Sequence, residues 1–240
     1  MQVVPYKSDA SGKKLQVARM FDTISGKYDF LNHFLSFGID IGWRKKAIQL
    51  LEKAQPKLIL DVATGTGDFA IQALTLHPEK IVGIDISEGM LEVGRKKMIS
   101  RKCDQKIEMK SGDSENLPFD DNTFDAVIVA FGVRNFEDLK RGLSEMLRVL
   151  KPGGRVVILE FSKPTVWYFK PLYHFYFKYI TPAIGKAFSN DSAAYSYLPE
   201  SVKAFPDGKD FIAILDELNY KNTSCRALTF GISTLYSGIK

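Results

Sequence analysis

The chain has 240 residues, enough for one large domain, or one domain with a small appendage, whose folding buries roughly three quarters of its unfolded surface. Its 45% hydrophobic and 25% charged residues exclude a disordered, collagen-like or disulfide-scaffold chain. Lys plus Arg exceeds Asp plus Glu by 33 − 28 = 5, but the positive residues are dispersed and form no stripe for nucleic acid.

Cys103 and Cys225 lack metal-ligand spacing and suit a reducing compartment, so no metal is expected. Lys7, Lys13, Lys14 and Arg19 precede no apolar run, so the N-terminus does not read as a secretory signal and the mature chain is expected to start here. The greasiest stretch, Pro171 to Phe177, lies between Lys170 and Lys178 and is too short to cross a bilayer.

Residues 1–55 read as a helical cap with Trp43, Ile48 and Leu51 facing inward. Lys57 to Val62 is a first strand ending in a glycine turn; Phe69 to Leu76 is the helix behind it, stopped by His77 and Pro78. Lys80 to Asp85 is a second strand, and Ser87 offers an N-cap to a helix running through Lys97, with Met90, Leu91, Gly94 and Met98 at helical spacing. Ile107 to Lys110 is a short third strand. Phe124 to Ala130, nearly all apolar, is a central strand covered on both faces. Asp138 to Leu150 forms the next helix, which Pro152-Gly153-Gly154 breaks before a fifth strand, Arg155 to Phe161. A helix from Asp210 to Leu218 precedes Tyr220 to Cys225 and Thr229 to Gly238, expected as an antiparallel edge.

This alternation predicts an α/β fold: a doubly wound, mostly parallel seven-stranded sheet in a single domain. Its parts are the cap (1–55), a cofactor-binding core (56–162), an aromatic-rich helical lid (163–206) and a C-terminal helix with edge strands (207–240). From Trp167 to Tyr179 the lid carries too many aromatics for one helix face; either it is buried all round or one face meets something apolar.

The glycine turn, Asp61 to Asp68, sits where a parallel strand passes into a helix, the place where open α/β sheets bind ligands. Gly65, Gly67 and Ala70 also satisfy the dinucleotide spacing, with Asp85 twenty residues after Gly65. Charge separates the two readings. Asp61 and Asp68 flank the glycines, and carboxylates there repel a pyrophosphate by roughly 1–4 kcal/mol at close range. A cationic donor such as S-adenosylmethionine is favoured, with Asp85 accepting from ribose hydroxyls. Asp113 and Ser114, after the third strand, offer an acceptor for an adenine amino group; the alternative for Asp113 is a turn-capping residue, and for Asp85 a carboxylate at the start of a helix.

With these features the sequence resembles the class I S-adenosylmethionine-dependent methyltransferases, and more narrowly the quinone C-methyltransferases of menaquinone and ubiquinone biosynthesis. The resemblance covers nearly the whole chain: Arg19 to Asp22 with Lys27-Tyr28-Asp29, Asp61 to Asp68, Gly89 to Leu91 with Gly94-Arg95, Ala130 to Asn135, Arg148 to Gly154, and Leu159 to Pro164. Phe131 to Asn135 and Glu160 to Pro164 are the portions specific to the quinone enzymes. The resemblance implies cofactor contacts at Thr66, Asp85, Asp113 and Ser114, with Gly65 and Gly67 shaping the loop. Some relatives have a serine where this chain has Ala130.

The implied reaction is C-methylation of a reduced polyprenyl hydroquinone, demethylmenaquinol being favoured over the benzoquinol of ubiquinone synthesis. A phenol of pKa about 10 needs roughly 4 kcal/mol to ionise at pH 7, which the protein must lower or offset. Arg134, placed by the resemblance among the catalytic candidates, stays protonated and suits stabilising the phenolate, leaving the proton to water or a neighbouring acceptor. Tyr28 and His33 are its candidate partners. Structural roles, a surface ion pair for Arg134 and a packing role for His33, remain the alternatives. The expected partners are the quinol, a membrane surface visited transiently from the cytoplasmic side, and a second copy of the chain; no nucleic acid is expected. The competing functions are a nicotinamide-dependent oxidoreductase, a methyltransferase acting on RNA or protein amines, and a non-catalytic lipid- or quinone-binding module.

Overall fold

The computed structural model describes residues 2–36, 38–164 and 192–240, the side chains of 30–35 and 192–195 excepted. The aromatic segment from Trp167 to Tyr179 and the His33 side chain lie outside the described residues.

Seven strands form one sheet: β1 (Leu58–Val62), β2 (Lys80–Asp85), β3 (Ile107–Ser111), β4 (Phe124–Ala130), β5 (Leu150–Phe161), β6 (Lys221–Leu228) and β7 (Ser233–Ile239). Their order is β3-β2-β1-β4-β5-β7-β6. Strands β1 to β5 run parallel, and β7 is antiparallel to both β5 and β6, as the sequence predicted for its last two strands. The order reverses between β1 and β4, which opens a crevice at the carboxyl ends of these strands.

Alternation along each strand builds two cores. Ile59, Ile81, Ala126, Ile128, Val157 and Leu159 face one layer, covered by α2 (Ile39–Gln49), α3 (Asp68–Ala73) and α4 (Glu88–Ser100). Leu60, Val62, Val82, Ile84, Val127, Val129, Val156 and Ile158 face the other, with α5 (Leu139–Val149) and, after α6 (Ser192–Ala204), α7 (Lys209–Glu217). Trp43, Ile48 and Leu51 are all buried.

Helix α1 (Lys13–Leu35) lies across α4. Ser87 caps α4, its hydroxyl accepting from the Met90 N–H at 3.2 Å, and Asp22 of α1 adds a second cap by accepting from the Ser87 hydroxyl (2.6 Å) and the Gly89 N–H (2.9 Å). A helix N-terminus with four unpaired N–H groups thus fixes where α1 lands.

Two local expectations shift. Pro152-Gly153-Gly154 does end the helix, but it lies within β5, at an irregularity opposite β4; the Lys240 carbonyl accepts from Gly153 and the Gly154 carbonyl from Lys240. The expected Thr229–Gly238 strand begins at Ser233, because Thr229–Gly231 form a 3-10 turn.

Candidate active site

After Val62 the chain turns through three residues of positive φ, Ala63 (52°), Gly65 (57°) and Gly67 (85°), before entering α3. The two glycines have different reasons. A Cβ on Gly67 would stand 2.3 Å from the Met98 methyl in the core, whereas one on Gly65 would meet only Met90, at 3.2 Å. Gly67 is needed for packing and Gly65 for open space beside the turn. The Asp85 carboxylate ties β2 to this loop, Oδ2 accepting from the Gly65 N–H (2.8 Å) and Oδ1 from the Ser87 N–H (2.9 Å).

The crevice at these strand ends is an open cleft of about 670 Å³ counted to its mouth. Its walls are Ala63 and Gly65, Asp85 and Ile86, residues 112–115, and Ala130 to Gly132 with Asn135; Lys14, Val17, Phe21 and Tyr28 of α1 close it. Of the expected cofactor residues, Gly65, Asp85, Asp113 and Ser114 therefore stand on the wall. Asp61, Thr66 and Gly67 stand behind the loop.

The charges are arranged differently from the expectation. Asp68 pairs with Lys97 at 2.9 Å, and Lys97 also pairs with Asp29 and donates to the Thr66 hydroxyl, so the Asp68 charge is engaged behind the loop. Asp61 is 1% exposed, and its Oδ2 accepts from the Thr64 hydroxyl at 2.6 Å. Burial pushes the Asp61 carboxyl up to about 7; the Thr64 hydroxyl, the nearby Ala70 N–H and the Arg44 guanidinium pull the other way. The acidic wall comes instead from Asp85, Asp113 and Glu115. Lys14 bridges Asp113 (2.8 Å) and Glu115 (3.1 Å), and although burial opposes its charge, these bonds hold its ammonium above the usual lysine range. Among the described residues of the cleft wall, three carboxylates stand with one lysine, which pairs with two of them. Burial also raises Asp85, to about 6, against the N–H groups of Ser87, Gly65 and Ile86.

Arg134 lies on the 3-10 turn Val133–Asn135 that follows β4. Its guanidinium donates to Glu160 Oε1 at 2.8 Å and to the Phe131 carbonyl, and stands 5.3 Å from the Phe161 ring centroid. Lys13 holds the same turn, donating to the carbonyls of Arg134 (3.0 Å) and Phe136 (2.8 Å). Burial and the Arg134 charge bring its amine down to about 8. Tyr28 lines the cleft, and burial raises its phenol to about 12, so it remains a hydrogen-bonding group at neutral pH. Arg134 Nε, Asn135 Oδ1 and the Tyr197 hydroxyl, all buried around the turn, have no hydrogen-bond partner among the described residues.

Glu160 carried a visible signal, a carboxylate inside an otherwise apolar strand. Asn135 closes the Phe131 to Asn135 motif; Lys13, Lys14, Glu115 and Tyr197 carried no signal, because each meets its neighbours across the fold.

The family model described as "ubiE/COQ5 methyltransferase family" matches residues 8–240. The chain is 50% identical over 240 residues to a demethylmenaquinone methyltransferase of Bacteroides fragilis, covering 100% of this chain and 98% of that protein. It is 48% identical over 237 residues to the ubiquinone/menaquinone biosynthesis C-methyltransferase UbiE of Geotalea daltonii, covering 98% and 100%. Among solved structures, a SAM-dependent methyltransferase from Thermotoga maritima aligns with a TM-score of 0.65 at 18% identity, over 92% of this chain and 98% of the other, a likeness of fold. A match to the family model over residues 8–240, joined to near-half identity across the whole chain, means that this protein belongs to the ubiE/COQ5 methyltransferase family.

Proposed function

We propose that the chain uses S-adenosylmethionine to methylate a ring carbon of a reduced polyprenyl quinone, with demethylmenaquinol as the acceptor. The observation that carries the donor assignment is the wall of Asp85, Asp113 and Glu115 beside Gly65, with Lys14 as its one lysine. Such a wall opposes a diphosphate and suits a sulfonium. The residues fit this donor: Gly65 leaves its face of the loop open, Asp85 is 9% exposed, and Asn135 presents an unpaired acceptor. Asp85 would accept from the ribose hydroxyls and Asp113 from the adenine amino group, with Ser114 beside it.

The donor supplies a methyl group activated by positive sulfur. The protein's part is orientation and electrostatics. Arg134, already charged and aimed by Glu160, stabilises negative charge developing on the acceptor hydroxyl. A new carbon–carbon bond replaces the sulfur–methyl bond, and the displaced ring proton leaves to water. Tyr28, held protonated, donates a hydrogen bond and does not serve as the base.

The names of the relatives support both acceptors; 50% identity to a demethylmenaquinone methyltransferase favours the naphthoquinol, and the UbiE relative keeps the benzoquinol as a second reading. No helix among the described residues is long and apolar enough to cross a membrane. The acceptor's tail sits in a bilayer, so we place the encounter at a membrane surface. The test is incubation with methyl-labelled donor and each precursor, reduced and oxidised. Label in menaquinol from the reduced naphthoquinol supports the reading; label in neither quinol overturns it. Co-sedimentation with anionic liposomes, lost at high salt, tests the surface encounter.

A further inference from the structure

The 3-10 turn that carries Arg134 closes on two backbone bonds, from the Asn135 N–H to the Gly132 carbonyl (3.0 Å) and from the Phe136 N–H to the Val133 carbonyl (3.2 Å). So short a turn leaves its later carbonyls to be satisfied from elsewhere. Lys13, the first residue of α1 and 8% exposed, donates to those of Arg134 and Phe136. A lysine is seldom buried unless its ammonium is engaged, because desolvating that charge is costly. Lys13 is itself seated. Its N–H donates to Glu137 Oε1 (2.8 Å), the Glu137 N–H donates to Glu115 Oε1 (2.7 Å), and Glu115 Oε2 pairs with Lys14, the next residue of α1. A Cβ on Gly12 would stand 2.9 Å from Glu137 Oε1, so the chain enters α1 this close to the carboxylate because residue 12 has no side chain.

Lys13, Glu137, Glu115 and Lys14 thus form a closed ring. On one side it is cleft wall, since Glu115 and Lys14 line the cleft and Lys14 also bridges Asp113. On the other it is the turn, whose Asn135 and Phe136 line the cleft as well. We propose that Lys13 is a positioning residue for methyl transfer: from the helix side it fixes the turn that Glu160 fixes from the strand side, so that the Arg134 charge stands in register with the donor wall held by Lys14. Lys13 touches neither substrate and acts through Arg134. This rests on the reading of Arg134 as the group that stabilises charge on the acceptor hydroxyl, and adds what holds it there.

The test is Lys13→Met in the full chain, assayed with methyl-labelled donor and demethylmenaquinol well below its melting temperature, beside calorimetric titration with S-adenosylhomocysteine. Its kcat should fall by roughly 10- to 100-fold, the scale of misplacing a reacting-site group by about an ångström, while the acceptor KM and the S-adenosylhomocysteine Kd change less than about threefold. A latch that only stabilises the fold would lower the melting temperature and leave kcat of the folded protein within threefold, which overturns the proposal. Loss of donor affinity equal to the loss of kcat also overturns it, since Lys13 would then belong to the donor site. Should Lys13→Met fail to fold, Glu137→Ala serves: this exposed carboxylate seats Lys13, and the variant keeps the backbone N–H that bonds Glu115. It should lower kcat by roughly 3- to 10-fold at unchanged donor affinity, and an unchanged kcat refutes the positioning role. A wild-type chain that labels no quinol refutes the methyl-transfer reading itself, a result distinct from an active wild type with an equally active variant.

Discussion

Glu160 grips Arg134 at two points, Oε2 accepting from its backbone N–H at 3.2 Å and Oε1 from its guanidinium at 2.8 Å, with the carboxylate side chain wholly buried. One residue thereby fixes both the turn after β4 and the direction of the charge it carries. Removing one member of such a pair leaves a buried charge uncompensated, at roughly 3–5 kcal/mol. Glu160→Gln should therefore lower the unfolding free energy measured by denaturant titration by an amount on that scale and reduce methylation at least tenfold. Replacing both, Arg134→Met with Glu160→Leu, should recover most of the stability and none of the activity. Recovery of activity in the double variant would show that the pair is only structural.

The glycine pair gives a prediction that separates stability from binding at two nearby positions. Gly67→Ala drives a methyl into Met98, itself 1% exposed, at a positive φ, and should cost roughly 2–3 kcal/mol. Gly65→Ala meets a single flexible methyl and should cost about 1 kcal/mol, yet weaken S-adenosylhomocysteine at least tenfold by filling the cleft side of the loop. Thermal melts and titration of both variants separate the two roles.

That contrast marks the limit of what the sequence conveys. Spacing places Gly65 and Gly67 in one motif, and only the fold shows Met98 and Met109 behind one and the cleft before the other. The strands were legible because each is a short apolar run between turn residues, a local pattern. The cleft's second wall was not. Lys14 reaches Asp113 across 99 positions and Asp29 reaches Thr66 across 37, and pairing at such range leaves no periodicity to read. Asp68 illustrates the cost: its neighbours in sequence leave its charge unopposed, while Lys97 of α4 pairs with it in space.

Tyr197 offers a check on the packing beside Arg134. Its ring sits in a small cluster with Val17 and Met20, 3% exposed, and its hydroxyl has no partner among the described residues. Deleting an unsatisfied buried hydroxyl removes a desolvation penalty, so Tyr197→Phe should raise stability by about 1 kcal/mol in the ligand-free protein. A loss of stability on chemical denaturation would mean that the hydroxyl is in fact satisfied.

Asp61 sets part of the pH response of the empty protein. Burial raises its carboxyl from 3.8 to about 7, opposed by Thr64, Ala70 and Arg44 and reinforced by Asp85. A raised carboxyl means the folded state takes up the proton more readily than the unfolded one. Its contribution to stability is complete below about pH 4 and is lost as pH rises through about 7. Asp85, raised to about 6, acts with the same sign over the lower part of that window. The ligand-free chain should thus lose roughly 2–4 kcal/mol between pH 5 and 8 from Asp61, and Asp61→Asn should flatten that part of the curve. Chemical denaturation of both chains at pH 5 and pH 8 checks this: a wild-type stability that changes no more than the variant's would mean that the Asp61 carboxyl does not hold its proton in the folded state.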